Sequence, residues 1–474
     1  MHSSHPIKRR AISLRRLARK KIRQIGRLSR KSVQLCVLLG GAVLVALVSL
    51  VFARLADTAL EWNAHWVGRA GWLALIVLPF SLVALRWFTM KFAPNAAGSG
   101  IPQVIGALSL PPGPAQHSLV SLRQTLWKIP LSFAGMIAGA SIGREGPSVQ
   151  VGAAVMLAWG NFWKNRGIKL RSFHANELIA AGAAGGLAAA FNAPLAGVIF
   201  AIEELGRGTA LRWQRLVLIG VLASGFLVVA IAGNNPYFGV FAGTADIENI
   251  VLWIAVVGIA NGIFGGIFAW LLGKGLAGVA PHRWRERIRA HPFMTAFAMG
   301  LVVALLGLLT GGAVYGTGYH VAAESMAGEG TIATGFGFAK IAATVASYWA
   351  GIPGGIFTPA LTTGAGIGSM IGDWAGPDLD ARVLVLLSMA AFLAAATQSP
   401  LTASVVVMEM TGSQPMLFWL LVASLIASVV SRQFSPYPFY HLAAGRFRRQ
   451  ALSSMPAKPK HRDKQQHESA RPEQ

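Results

Sequence analysis

Long apolar runs without a charged residue recur along this chain and limit the folds that it can adopt. A helix of about 20 residues spans the ~30 Å hydrocarbon core of a bilayer. Runs of at least that length occupy 32–53, 178–202, 216–245, 249–273, 292–319, 341–372, 383–408 and 411–431. Only 13% of the 474 residues are charged, which is about half the share in soluble domains. The sequence therefore predicts an all-α polytopic membrane protein.

Glycine and proline interrupt several of these runs. The run 341–372 contains GIPGG at 351–355, the run 383–408 contains QSP at 398–400, and Gly and Pro recur throughout 98–204. Proline ends or kinks a helix, and broken backbone at membrane depth is tolerated only where it is buried in protein or lines a cavity. Such broken helices are typical of transporters, which bind their cargo near the middle of the membrane.

The positive charge is concentrated at the two ends. Of the formal net charge of +24, residues 1–31 contribute +12 and residues 446–474 contribute +5. We expect a basic cytoplasmic arm at 1–31, a transmembrane transport domain at 32–445 and a disordered basic cytoplasmic tail at 446–474. Within the arm, 7–28 forms either a surface helix or a disordered segment. The positive-inside rule places both ends in the cytoplasm, with an even number of crossings, and the basic residues contact anionic lipid, not nucleic acid.

No pattern in the sequence predicts a cofactor or a metal. Cys36 is the one cysteine, so no intrachain disulfide forms, and neither HExxH nor a His/Cys cluster occurs. GASIG at 139–143 fits the G-x-S-x-G motif of hydrolases, but no strand of an α/β pattern precedes it. We therefore expect a transporter and not an enzyme, with an intramembrane serine hydrolase as a remote alternative. A sodium-coupled transporter of organic solutes would share the broken helices but would need a larger pocket.

Three segments place a glycine four residues before a proline, with an apolar stretch after it: GSGIP at 98–102, GREGP at 143–147 and GIFTP at 355–359. Proline fits the first turn of a helix, and glycine allows a tight turn before it. The free N–H groups of a first turn, with the positive end of the helix dipole behind them, bind anions without a formal charge. We expect these helix ends to hold an anion weakly enough to release it.

Acidic residues and lysines also lie in apolar surroundings. Ionised Glu145, within GREGP, would occupy the anion site and leave it once protonated, as a gate and proton carrier; the alternative is an ordinary first-turn glutamate. Glu203 and Glu204 end an apolar run and are either solvated or a proton entry point on the cytoplasmic side. Lys128 and Lys340 are expected to snorkel to the interface, and the alternative is that they add positive potential along an anion path.

Together these motifs resemble the CLC family of chloride channels and chloride/proton antiporters. The three glycine-led segments occur in the family's order, and FNAPLAG at 191–197 with FAIEE at 200–204 is similar to a further family segment. The resemblance covers about 35–445. It implies a fold of about eighteen tilted and broken helices in two inverted repeats, a homodimer, and one anion pathway in each subunit.

The resemblance also implies roles for single residues. Ser99 would supply a hydroxyl ligand to chloride, the N–H groups of Ile356 and Phe357 would donate to the same ion, and Glu145 would be the gating glutamate. The amides of Arg144 and Gly146 would face an outer chloride site. The family's tyrosine ligand matches Tyr440 better than the nearby Tyr437.

The internal acid distinguishes antiporters from channels within the family. Glu204 matches the proton-transfer glutamate of the antiporters, so chloride/proton antiport is the expected function, and a passive voltage- or pH-gated chloride channel is the alternative. Lys128 stands where the family often has a basic residue, but its expected acidic partner is not evident. We expect a member without the nucleotide-binding regulatory domains of the eukaryotic proteins. The resemblance therefore implies a prokaryotic protein of the bacterial inner membrane that needs no cofactor.

Overall fold

A computed structural model describes residues 5–168, 174–207, 215–241, 247–376 and 380–454. This part of the chain is helical, and paired β structure in it is confined to isolated bridges between loops. The all-α prediction is confirmed. In chain order the α-helices are α1 His5–Ala70, α2 Ala74–Phe92, α3 Ile101–Leu108, α4 Pro114–Leu119, α5 Leu122–Leu126, α6 Lys128–Ala138, α7 Glu145–Asn165, α8 Ala175–Phe191, α9 Pro194–Phe200, α10 Arg215–Ala232, α11 Ile247–Lys274, α12 Leu276–Val279, α13 His282–Ala290, α14 Pro292–Leu309, α15 Tyr319–Ala327, α16 Phe336–Trp349, α17 Phe357–Ala375, α18 Ala381–Thr397, α19 Pro400–Thr411, α20 Leu417–Ser431 and α21 Phe439–Ser453.

The helix breaks lie where glycine and proline predict them. The run 383–408 divides into α18 and α19 at Gln398, and the run 178–202 divides into α8 and α9 at Asn192. Both residues adopt a left-handed backbone, with φ of 58° and 54° respectively, and each is followed two residues later by the proline that begins the next helix. A left-handed residue ends one helix and a first-turn proline starts another, so the chain changes direction within the apolar layer.

Few single helices are long enough to cross a bilayer alone. Within the described ranges, helical stretches of sufficient length and apolarity are Ser32–Phe92, Ile250–Lys274, Pro292–Leu309 and Gln414–Ser431. The other apolar helices are shorter, including α8, α18 and α19. The short helices pair end to end or side by side and bury their polar ends against each other, as irregular backbone in a membrane requires.

Two blocks of the fold have the same construction. In each block a glycine-led motif begins a long helix, α7 or α17, which packs against a second long helix, α8 or α18. Glycines bring these pairs close together: a Cβ on Gly152 would lie 3.1 Å from the Gly186 Cα, and a Cβ on Gly368 would lie 2.7 Å from the Val385 Cα. Small residues that allow such close approach are typical of helix pairs in membranes.

The two blocks also hold each other through a reciprocal pair of acidic caps. The Glu203 carboxylate accepts the N–H groups of Leu401 and Thr402 at the start of α19, at 3.2 and 2.6 Å. In return, Glu409 accepts the N–H groups of Leu195 and Ala196 at the start of α9, at 3.1 and 2.6 Å. Each glutamate lies nine residues beyond the first proline of its own short helix. The contact is therefore nearly two-fold symmetric, as two related repeats would make it.

The ends of the chain continue helices of the body. Residues 7–28 belong to α1, which runs through the predicted boundary at 31 without a break. The position of this arm relative to lipid stays a prediction. At the other end, α21 continues through Ser453, and the rest of the predicted tail, 455–474, lies outside the described residues.

Candidate functional site

The three glycine-led segments begin three helices, as predicted, and the structure brings them together. GSGIP leads into α3, GREGP into α7 and GIFTP into α17. The Gly143 and Gly355 backbones exchange two hydrogen bonds of 2.7 Å each, and Gly98 accepts from Gly354 at 3.2 Å and donates to Ile352 at 3.0 Å. Segments more than 200 residues apart in sequence are thus joined through their backbones. The positive ends of three helix dipoles therefore converge on one region.

Glycine is required where these helix ends meet. A Cβ on Gly146 would lie 2.6 Å from the carbonyl oxygen of Ser99, and a Cβ on Gly100 would lie 2.6 Å from the carbonyl oxygen of Gly146. A Cβ on Gly355 would lie 3.0 Å from the Gly146 nitrogen. No side chain fits in these gaps, so glycine allows the three helix starts to approach each other closely.

Two hydroxyl groups lie at the convergence point. Ser99 is 1% exposed and Tyr440 is fully buried in the first turn of α21. Their side chains lie close to each other, yet neither hydroxyl makes a hydrogen bond of ordinary geometry to the described residues. Buried hydroxyls normally have a partner, so an anion that accepts from both would satisfy them. Tyr437, the alternative ligand, is 68% exposed.

Glu145 is fully buried in the first turn of α7. Its carboxylate lies beside the hydroxyl and backbone N–H of Thr358 in the first turn of α17, although neither oxygen makes a hydrogen bond of ordinary geometry. A carboxyl side chain therefore occupies the space between two helix N-termini, where a free anion would be favoured. This is the position that the sequence predicts for a gating carboxylate.

The Arg144 side chain points away from this space. Its guanidinium donates to the Asp57 carboxylate at 2.5 Å and to the Ala53 carbonyl at 2.6 Å, and it lies 5.3 Å from the centre of the Tyr237 ring. Arg144 is the N-cap of α7, so only its backbone remains near the helix end. A cavity of about 390 Å³, lined by Asp57, Arg144 and Tyr237 among others, lies outside this contact.

Lys128 and Lys340 are both fully buried, so the expectation that they snorkel to the interface is wrong. Lys128 donates to the side-chain oxygen of Gln150 at 2.6 Å, and Lys340 donates to the carbonyls of Val314 and Gly316 at 2.8 Å each. Interior acceptors replace water for both ammonium groups. The Lys128 side-chain nitrogen also lies 3.0 Å from the position of a Cβ on Gly100, which places a hydrogen-bond donor near the start of α3.

Glu204, the second predicted acid, is 1% exposed. The Ser399 hydroxyl donates to one carboxylate oxygen, and the His441 ring lies 3.6 Å from the other. Glu204 and Tyr440 line one narrow gap together with Ser399 and Phe357, and the gap has no room for a water molecule. The structure therefore places both predicted proton-transfer acids near the two buried hydroxyls, since each interacts electrostatically with Tyr440.

Sequence reasoning missed Ser399 and His441. The proline two residues after Gln398 marked the start of α19, but nothing in the sequence connected that helix to an acid 195 residues earlier. His441 directly follows the predicted ligand Tyr440, and that adjacency was the one available signal. The expectation that the two acids are solvated does not hold for Glu204, which is buried, or for Glu203, which caps α19.

Comparison with known proteins decides the family. Residues 80–432 match the family described as voltage gated chloride channel. The chain belongs to this family, the CLC family. It is 32% identical over 456 residues to the H(+)/Cl(-) exchange transporter ClcA of Klebsiella pneumoniae, covering 87% of this chain and 89% of that protein. It is 30% identical over 421 residues to the ClcA exchanger of Vibrio cholerae, covering 84% and 86% of the two chains.

Solved structures confirm the CLC fold of tilted and broken helices in two inverted repeats. The crystal structure of a slow cyanobacterial Cl⁻/H⁺ antiporter matches with a TM-score of 0.74 and 24% identity, over 88% of this chain and 98% of that one. A CLC-type fluoride/proton antiporter matches with a TM-score of 0.68 and 22% identity, over 86% and 97% of the two chains. These likenesses establish the architecture.

The hydrolase alternative finds no support in the geometry. Ser141 of the GASIG segment is fully buried, and its hydroxyl pairs with that of Thr344 at 2.9 Å. The segment joins α6 to α7 rather than a strand to a helix, so it is not a nucleophile elbow. In the described ranges, no group of three or more His, Cys, Asp or Glu side chains is placed to hold a metal ion.

Proposed function

We propose that this protein exchanges chloride for protons across the membrane. The observation that carries the proposal is the Glu145 carboxyl group, buried between the N-termini of α7 and α17, with a second buried acid, Glu204, that lines a narrow gap together with Tyr440. A passive gated channel needs no second, internal acid such as Glu204. The two relatives described above are named as H⁺/Cl⁻ exchange transporters, which favours antiport over the passive channel.

Chloride and the Glu145 carboxylate would compete for one set of donors. The central ion would accept from the hydroxyls of Ser99 and Tyr440 and from the N–H groups of Ile356 and Phe357. An outer ion would lie at the amides of Arg144 and Gly146, next to the Glu145 side chain at the start of the same helix. Protonation would remove the negative charge of Glu145, and the neutral side chain would leave the helix ends to chloride. Each exchange step therefore couples a proton on Glu145 to an anion in its place.

Glu204 would exchange protons with the solution on the opposite side. Its buried carboxylate contacts Ser399 and lies near His441, a half-buried ring that reaches the surface. Protons and chloride would thus use separate routes between the solution on the Glu204 side and the central site. They would share one route between Glu145 and the solution on the opposite side. No cofactor takes part in this scheme.

The geometry of α1 supports the orientation. Asp57, which binds Arg144, lies 25 residues beyond Ser32 in one continuous helix, a rise of about 38 Å at 1.5 Å per residue. That length exceeds the ~30 Å core, so the Glu145 side faces away from the basic N-terminal arm. We place both termini in the cytoplasm of a bacterium, the protein in its inner membrane, and two copies in a homodimer, as the family resemblance implies.

Flux measurements in liposomes test the proposal. Purified protein in vesicles with a chloride gradient should drive protons against their own gradient. Chloride flux without any proton movement would contradict antiport and would support the passive channel.

The Glu145→Gln variant then tests the gate. A neutral amide mimics the protonated acid but carries no proton, so chloride flux should persist while coupled proton flux falls to background. Equal coupling in Glu145→Gln and the unmodified protein would remove Glu145 from the mechanism.

A further inference from the structure

A basic pocket lies apart from the anion site, where α2 and α21 meet the ends of α11, α13 and α16. Its volume is about 450 Å³. Four separate elements contribute one cation each, and the lining contains no acid: Arg86, Lys274, Arg289 and Arg446. We call these residues with the adjoining Trp349 and Thr295 the basic pocket. Four positive groups directed at one cavity repel each other unless an anion lies among them.

The protein itself uses few of the donors in this pocket. Arg86 donates to the Gly351 carbonyl at 2.9 Å, and Arg446 donates to the Gly273 carbonyl. The side chains of Lys274 and Arg289 have no hydrogen-bond or ion-pair partner among the described residues, and both are exposed. An arginine carries five N–H donors and a lysine three, so most of the donors remain available to a ligand.

The depth of the pocket is that of lipid headgroups. The membrane-length stretch Ile250–Lys274 ends at the pocket, and the stretch Pro292–Leu309 begins there. Trp349 forms part of the wall and donates its ring N–H to the Leu271 carbonyl at 3.1 Å. Tryptophan is enriched at the level where hydrocarbon meets water. Basic α13, which lies between the two stretches, marks this side as cytoplasmic.

We propose that the basic pocket binds the phosphate group of an anionic phospholipid. Arginine forks match the geometry of phosphate oxygens, and lysine adds a point charge. Basic pockets between helices on the cytoplasmic side are suited to lipid headgroups. A lipid is favoured over free phosphate because the pocket opens at the end of two membrane-length helices, where acyl chains pack beside the protein.

Binding of phosphatidylglycerol tests this proposal. Full-length protein in an uncharged detergent would be titrated with phosphatidylglycerol, with phosphatidylcholine and, separately, with inorganic phosphate, while the melting temperature is followed. A ligand that binds only the folded state raises that temperature saturably. Phosphatidylglycerol should do so, and the other two should not.

Paired variants locate the site. The double variant Lys274→Gln/Arg289→Gln removes two pocket cations, and Arg283→Gln/Arg287→Gln removes two cations from α13 that do not line the pocket. The pocket variant should weaken phosphatidylglycerol binding at least tenfold, and the control should stay within twofold. The altered side chains are exposed, and each single variant can replace a double variant that fails to fold.

Three outcomes would overturn the proposal. Equal weakening in both double variants would mean that lipid is attracted to general surface charge. A saturable shift with inorganic phosphate that abolishes the phosphatidylglycerol effect would identify a site for a soluble anion. The absence of any saturable phosphatidylglycerol shift would remove the site altogether.

Discussion

At the scale of single residues, two neighbouring glutamates have different surroundings. Glu204 is buried beside Ser399 and lines a narrow gap with Tyr440, whereas Glu203 accepts two backbone N–H groups of α19. We propose that Glu204 transfers protons, whereas Glu203 caps a helix end. Adjacent acids in one turn therefore differ in role because their side chains point to different elements.

Glutamine at each of these positions should separate the two roles. Glu204→Gln should lower coupled proton flux at least tenfold with little change in melting temperature, because the amide keeps the size but cannot carry a proton. Glu203→Gln weakens a charge-assisted cap and should cost about 1–2 kcal/mol of stability, which thermal unfolding in detergent would detect. Loss of proton flux in Glu203→Gln at unchanged stability would contradict this division.

The tyrosines near the end of the transport domain offer a second residue-scale test. The Tyr440 hydroxyl is buried beside Ser99, whereas Tyr437 is exposed. Removing a hydrogen bond to a charged group costs about 1.5–3 kcal/mol, so Tyr440→Phe should weaken chloride binding at least tenfold by calorimetry. Tyr437→Phe should leave it unchanged. The reverse result would mean that the tyrosine ligand was misassigned.

The sequence predicts those site residues whose type is unusual for their immediate sequence neighbours. Glycine and proline mark the starts of α3, α7 and α17, and an acid in an apolar run marks Glu145 and Glu204. The partners of the acids could not be predicted, because Ser399 and Thr358 reach them only through tertiary packing. The burial of Lys128 could not be predicted, because its hydrogen-bond acceptor in the protein interior, Gln150, lies on another helix.

At the scale of elements, the close helix pairs depend on glycine. Gly152 of α7 faces Gly182 and Gly186 of α8, and a Cβ there would collide with the Gly182 carbonyl. The breaks between helices were predictable from sequence, since proline and glycine act locally. The pairing of α7 with α8 and of α17 with α18 could not be predicted from sequence. Glycine is frequent throughout the chain, so its spacing alone does not indicate which helix packs against which.

Valine at one of these contacts should therefore disrupt the fold. Gly152→Val forces α7 and α8 apart, and overpacking of this kind costs about 1–3 kcal/mol or more. We expect a lower melting temperature and a larger aggregated fraction in size-exclusion chromatography. Gly445→Ala is the matched control, because nothing lies within 4 Å of its Cβ position in α21, and alanine there should stabilise slightly. Equal stability of the two variants would contradict close packing at Gly152.

At the scale of the whole molecule, the fold class followed from composition and the arrangement did not. Uncharged runs and two basic ends predict a polytopic membrane protein, and three motifs in order indicate the family. The reciprocal caps by Glu203 and Glu409, and the four cations of the basic pocket, each join elements that are far apart in sequence. Such features follow from the topology of two repeats, which no local pattern encodes.

The orientation of the whole molecule leads to a labelling prediction. Glu61 lies 29 residues beyond Ser32 in α1, a rise of about 44 Å, so it should face the outside if the basic arm faces the cytoplasm. In a Cys36→Ala background, Glu61→Cys should react with a membrane-impermeant maleimide in intact cells, and Ser469→Cys in the C-terminal tail should react only after permeabilisation.

Labelling of both sites in intact cells would contradict a cytoplasmic C-terminus, and labelling of Ser469→Cys alone would reverse the orientation. The expected pattern would place the Arg144 and Glu145 side of the anion path outside, because Asp57 connects it to the same end of α1.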